Sequence, residues 1–252
     1  MQAFYGEVIG TALLILLGNG VVANVVLPKT KGSDSGWIVI AFGWGMAVFV
    51  AVWCSAAMSG AHLNPAVTLG LVWAGRFDWS LVPTYLLAQM IGAFLGAVLV
   101  WVVYRDHYAA SEDRDAQLAT FGTSPAIRRP LNNAICEAIG TFVLVYAVLN
   151  AVEPALEMPS TAVTGQEAPQ LGLGTLGALP VGLLVLAIGL SLGGPTGYAI
   201  NPARDLGPRI AHALLPLSVK RDSDWSYAWV PIVGPCLGAL AAAMLHQAIG
   251  VN

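Results

Sequence analysis

Two stretches of this 252-residue chain place hydrogen-bonding side chains at helix starts inside otherwise apolar sequence. The later, Gly193 to Ile210, reads GGPTGYAINPARDLGPRI, and the earlier, Ser59 to Thr68, reads SGAHLNPAVT. In both, Asn-Pro-Ala (Asn64-Pro65-Ala66 and Asn201-Pro202-Ala203) has the order of a helix N-terminus. Asn is a favoured N-cap, and Pro at the first helical position lacks an N–H that would go unsatisfied there. With its oxygen held by the new helix's backbone, each Asn keeps its amide NH2 as a fixed, outward-facing donor. A lone Asn-Pro-Ala often only opens a turn. Two copies, each after an apolar span and a glycine-containing lead-in (Ser59-Gly60 and Thr196-Gly197), form a specific pattern. The chemistry on offer is the binding of neutral polar groups, not bond breaking. Arg204 follows the second motif, and a guanidinium at the centre of a membrane helix costs at least about 2.5 to 3.5 kcal/mol. It must therefore face water, a ligand or a partner. An ion pair with Asp205 competes with that reading, although adjacent helical residues point in different directions.

The remaining titratable residues suggest no reaction centre. Glu7 and Glu137 occupy equivalent places in two similar apolar segments, which points to buried acceptors and away from snorkelling helix-end residues. As general acids they would need a nucleophile or a metal nearby, and neither is found. His62 has no second His, Cys or carboxylate at ligand spacing and reads as a loop brace, whereas His107, His212 and His246 are scattered. Cys54, Cys136 and Cys236 lie in apolar runs and read as small buried hydrophobes. No metal or cofactor is implied.

Elements that must carry these groups follow from composition and periodicity. Hydrophobic residues make up 57% and charged ones 10% of the chain, against about 45 to 50% hydrophobic in soluble domains, so it belongs in a bilayer. The N-terminus MQAFYGEVIG lacks a basic region, and its apolar stretch reads as a retained first span. A net charge of −3 gives no basic patch for nucleic acid. A span needs roughly 20 residues; six runs qualify, at about 6 to 27, 37 to 58, 81 to 104, 131 to 152, 173 to 194 and 227 to 251. Two shorter runs, 64 to 75 and 201 to 217, each open on Asn-Pro-Ala and read as re-entrant half-helices. Irregular backbone at membrane depth is tolerated only where protein buries it or it lines a wet cavity.

The chain also repeats. GEVIGTALLI at Gly6 is echoed by CEAIGTFVLV at Cys136, SGAHLNPA at Ser59 by TGYAINPA at Thr196, and MIGAFLGA at Met90 by IVGPCLGA at Ile232. Each copy, about 1 to 110 and 131 to 252, holds three spans. An odd number makes the second enter from the opposite face, an inverted repeat in a single domain, 1 to 252. The half-helices then point their N-termini at each other near the midplane. Gly6 and Gly10, Gly92 and Gly96, and Gly234 and Gly238 are small-xxx-small pairs suited to close helix packing. The stretch from Asp106 to Arg129 reads as a polar linker between the halves, and Glu153 to Leu173, with Glu153, Glu157 and Glu167, as a mobile loop.

On these residues the chain resembles the aquaporin, or major intrinsic protein, family, and within it the glycerol uptake facilitators. The paired Asn-Pro-Ala motifs carry the family resemblance; Asp205, Arg209, Pro231 and Ile232 match the positions that set the glycerol-conducting branch apart. The resemblance implies an all-α membrane protein and a selectivity filter of Trp44, Gly189, Tyr198 and Arg204. It implies backbone carbonyls lining a pore at Gly60, Ala61, His62, Gly197, Tyr198 and Ala199. Glu7 and Glu137 would brace the two loops through backbone N–H groups or, in the first loop, the His62 side chain. The branch usually places Phe where this chain has Tyr198. A homotetramer in the plasma membrane is implied, with both tails cytoplasmic. That orientation leaves only Arg76 in an inside loop, while Lys29, Lys31, Arg105, Arg114, Arg128, Arg129, Lys220 and Arg221 fall outside. Charge bias alone would favour the reverse.

The function implied is a passive channel for glycerol and related small neutral polyols, with water, in contact with membrane lipid and without nucleic acid. A water-selective or lactic-acid-conducting pore is the near alternative. A proton-coupled secondary transporter also uses inverted repeats and broken helices, but would be expected to carry titratable residues where this chain has Asn, Pro, Ala and Arg. A membrane-embedded enzyme lacks its constellation of groups.

Overall fold

The computed structural model describes residues 1–152, 155–157, 170–217 and 219–250. Six helices are long and apolar enough to cross a membrane: Gln2–Val26, Trp37–Ser59, Trp79–Val103, Pro130–Leu149, Gly174–Leu192 and Val230–Ile249. We label the α-helices α1 (Gln2–Val26), α2 (Trp37–Ser59), α3 (Pro65–Trp73), α4 (Val82–Val103), α5 (Arg105–Ala110), α6 (Arg114–Ala119), α7 (Pro130–Leu149), α8 (Leu179–Leu192), α9 (Pro202–Leu214) and α10 (Val230–Ile249). Short 3₁₀ turns, Trp79–Leu81 and Gly174–Ala178, lead into α4 and α8. The only strands among the described residues are β1 (Ala155–Glu157) and β2 (Gln170–Gly172), an antiparallel ribbon in the connection before α8. Glu153 and Glu167 of the loop expected there lie outside the described residues.

The inverted repeat is visible in the packing. In one half α1 packs on α2 and α4; in the other α7 packs on α10 and, less extensively, on α8. The halves exchange their short helices, since α3 lies against α10 and α9 against α4, and α2 meets α8 across the middle. Glycines make these approaches possible. A Cβ on Gly92 or Gly96 would lie 2.4 or 2.5 Å from the α1 carbonyls of Val8 and Ala12, and one on Gly234 or Gly238 would lie 2.7 or 2.1 Å from those of Ala134 and Ala138 in α7. Outward faces carry Phe42, Leu87, Leu99, Val103, Ile139 and Leu237, all exposed, as an apolar solvent demands.

Two expectations change. The stretch 106–129 is more than a polar linker, because it holds α5 and α6 and buries Tyr108, Leu118 and Phe121. Cys54 is exposed on the outward face of α2, while Cys136 and Cys236 are half-buried.

Candidate functional site

Both Asn-Pro-Ala motifs cap helices as their residue order requires. Asn64 has φ −157° and ψ 118°, and Asn201 φ −155° and ψ 108°, so the two caps share one conformation. Asn64 Oδ1 accepts the N–H of Ala66 at 2.9 Å; Asn201 Oδ1 accepts those of Ala203 at 3.0 Å and Arg204 at 3.1 Å. Their amide nitrogens, expected to be wholly outward-facing, are partly used. Asn64 Nδ2 donates to the Ile200 carbonyl and Asn201 Nδ2 to the Leu63 carbonyl, each at 2.8 Å. Each motif thus ties down the other's lead-in, and since an amide carries two N–H donors, one remains on each Asn.

The lead-ins are held in a costly conformation. Gly60, Ala61 and Leu63 have φ of 77°, 53° and 52°, and Gly197, Tyr198 and Ile200 have 78°, 36° and 42°. Non-glycine residues adopt this left-handed region only when their surroundings enforce it. The two buried glutamates do so. Glu7 accepts from His62 N at 2.9 Å, Leu63 N at 2.7 Å, Ser59 Oγ at 2.7 Å and Gln89 Nε2 at 2.7 Å. Glu137 accepts from Ala199 N at 3.0 Å and Ile200 N at 2.7 Å. The His62 side chain does not reach Glu7. Its Nδ1 pairs with Thr68 Oγ1 at 3.1 Å, and its ring packs between Phe77 and Tyr85. Replacing Glu137 by Gln turns one acceptor oxygen into a donor and leaves a loop N–H unpaired, a cost of about 1 to 3 kcal/mol. Thermal unfolding of the detergent-solubilised variant should show this loss; a wild-type melting temperature would remove Glu137 as a strut.

At the end of α9's first turn, Arg204 stacks its guanidinium over the Trp44 ring at 4.0 Å from the centroid. That separation is van der Waals contact and admits no solute between them, so a passing molecule meets the guanidinium at its edge. Nη1 donates to Asn19 Oδ1 at 3.3 Å and to the Phe121 carbonyl at 3.4 Å. Tyr198 faces α8. A Cβ on Gly189 would lie 2.7 Å from both Cζ and Oη of Tyr198, so the space left by the missing side chain is filled by the phenol and not left open. The buried Tyr198 hydroxyl has no hydrogen-bond partner among the described residues. Trp37 completes this corner, donating from Nε1 to the Gly189 carbonyl at 3.0 Å, with its ring 5.8 Å from that of Tyr198.

Asp205 points away from Arg204. It forms a fork with Arg209 (Nε to Oδ1 2.7 Å, Nη2 to Oδ2 2.9 Å) and accepts the N–H and hydroxyl of Thr123 at 2.6 and 2.7 Å. Arg209 also donates to the carbonyls of Thr123, Ser223 and Asp224 at 2.9, 2.7 and 3.2 Å. Two of the four residues that match the glycerol branch, Asp205 and Arg209, therefore form a buried node binding α9 to the connections that hold Thr123 and Ser223. Pro231 lies buried in the first turn of α10, next to half-buried Ile232.

A cavity of about 250 Å³ joins the two capping asparagines to Trp44, Tyr198 and Arg204. Its lining includes Trp44, Tyr198 and Arg204, the lead-ins and caps Gly60 to Asn64 and Tyr198 to Asn201, and the aliphatic Val48, Val52, Leu144 and Val185. Gly189 and Gly197 do not border it, nor do the buried Pro65, Ala66, Pro202 and Ala203. Gly197 instead backs onto Thr123, 3.4 Å from where its Cβ would stand. Among the described residues no cluster of His, Cys, Asp or Glu could hold a metal ion. Asn19, Phe121 and Trp37 escaped sequence reasoning. Asn19 interrupts an apolar helix and could have drawn notice as a polar residue at membrane depth; nothing local marks a backbone carbonyl such as that of Phe121.

A channel-type membrane protein with paired half-helices is what this architecture defines. Residues 1–246 match the family model described as MIP, major intrinsic protein. The chain is 54% identical over 247 residues to a probable glycerol uptake facilitator protein of Thermotoga maritima, covering 98% of this chain and 99% of that one. It is 53% identical to the glycerol uptake facilitator protein of Streptococcus pneumoniae, with the same coverage. The X-ray structure of the aquaglyceroporin from Plasmodium falciparum superposes with a TM-score of 0.79 at 32% identity, covering 99% of this chain and 96% of that one. The chain belongs to the major intrinsic protein family and is a multi-pass membrane protein.

Proposed function

We propose that the protein is a passive channel of the plasma membrane for glycerol and related small neutral polyols, with water as a companion. The observation that carries this reading is the cavity whose lining combines two helix-capping asparagines and two lead-ins with aliphatic side chains. A hydroxyl stripped of water without a partner costs about 2 to 7 kcal/mol. The remaining amide N–H of Asn64 and of Asn201, the lead-in backbone and the edge of Arg204 offer replacements. Val48, Val52, Leu144 and Val185 take the carbon side of the solute. The positive ends of α3 and α9, with Arg204, disfavour cations and protons. The names of the relatives support the choice of solute.

Proton coupling is less compatible with the site, since both membrane-buried glutamates spend their oxygens on loop donors. The resemblance also supports a homotetramer whose outer apolar faces meet lipid. Proteoliposomes given matched gradients of glycerol, lactic acid and water test the proposal. Glycerol entry should exceed that of empty liposomes, rise linearly with concentration and ignore a pH gradient. Saturable, pH-driven accumulation, or water flux alone, would overturn it.

A further inference from the structure

Two consecutive residues of α1, Gly18 and Asn19, stand behind Trp44 and Arg204. The six-membered ring of Trp44 lies on Gly18, where a Cβ would come within 2.2 Å of Cζ3. Asn19 is 0% exposed and has both ends of its amide engaged. Its Nδ2 donates to the Phe121 carbonyl at 3.3 Å, and its Oδ1 accepts from Arg204 Nη1 at 3.3 Å. The same Nη1 reaches the Phe121 carbonyl at 3.4 Å, closing a triangle between α1, α9 and the connection after α6. Every partner in it is neutral. The nearest carboxylate in sequence, Asp205, is taken by Arg209 and Thr123, and Glu7 and Glu137 are taken by the lead-ins. A buried arginine is ordinarily paired with an acid; this one is held by an amide, a carbonyl and an indole face.

We infer that Asn19 is a positioning residue for Arg204, and that its neutrality matters for function. It fixes the guanidinium in its plane against Trp44 without cancelling the charge, so that the filter keeps a full positive charge to oppose cations while presenting a fixed edge to hydroxyls. The inference rests on the channel reading above. An acid at this position would still accept from the guanidinium, but it would cancel the charge and give up the N–H that Asn19 donates to the Phe121 carbonyl.

Two substitutions test it, with fluxes measured in proteoliposomes and normalised to folded protein. Asn19→Asp keeps the shape and the acceptor toward Arg204, gives up the donor to the Phe121 carbonyl and adds a charge. It should keep glycerol flux above that of empty liposomes and raise the sodium and proton leak at least about tenfold, equivalent to about 1.4 kcal/mol of barrier. Asn19→Leu removes the acceptor and leaves the charge. It should keep cations excluded and lower the ratio of glycerol to water flux by at least about threefold, as the guanidinium edge loses its fixed place. Should Asn19→Leu not fold, Asn19→Ala carries the same expectation. A purely structural Asn19 would move all fluxes together. An unchanged leak in Asn19→Asp, or an unchanged flux ratio in the apolar variant, overturns the inference. The leak comparison needs no glycerol, so a wild-type protein that passes none would overturn the channel reading separately.

Discussion

Arg209→Leu is expected to remove about 3 to 5 kcal/mol of stability, the usual cost of breaking a buried ion pair from one side. Arg209 and Asp205 are both 0% exposed, and the guanidinium is satisfied by one carboxylate and three carbonyls. Leucine would leave the Asp205 charge buried, with only Thr123 donating to it. It would also strip the Thr123, Ser223 and Asp224 carbonyls of that donor. Lysine should rescue little, because a single ammonium cannot reproduce the planar fork. A fall in melting temperature and in the monodisperse fraction in detergent checks this. An Arg209→Leu protein that melts with the wild type would mean that the node does not hold α9 in place.

Gly189→His should cut glycerol flux by at least about tenfold, and water flux far less. The reason is not that glycine leaves room for the solute itself. Here the Tyr198 ring already occupies that room, 2.7 Å from where a Cβ would stand. An imidazole must therefore push the phenol toward the passage beside Arg204, narrowing it and adding a donor. Combining Gly189→His with Tyr198→Ala removes the displaced ring and should restore much of the glycerol flux. If position 189 is only a packing glycine, the single variant lowers both fluxes together with folded yield. Glycerol flux that survives histidine, or that Tyr198→Ala fails to recover, would place the filter elsewhere.

The sequence by itself determined what depends on neighbours along the chain. Spans follow from uninterrupted apolar runs, and α3 and α9 begin at Asn64 and Asn201 because Asn followed by Pro satisfies a helix start locally. The repeat of these patterns also made the facing half-helices legible, since three spans per copy force the inversion, whereas the packing of α3 on α10 and of α9 on α4 was not. Tertiary structure alone decided which polar group meets which. Asn19 and Arg204 lie 185 residues apart, Trp37 and Gly189 152 apart, and Thr123 and Asp205 82 apart. Two of these three contacts are made with a backbone atom, which leaves no trace in residue type. For the same reason Glu7 was legible as a loop brace while its true partners were not. A backbone N–H belongs to every residue but proline, and only the path of the folded loop selects those of His62 and Leu63 over the His62 ring.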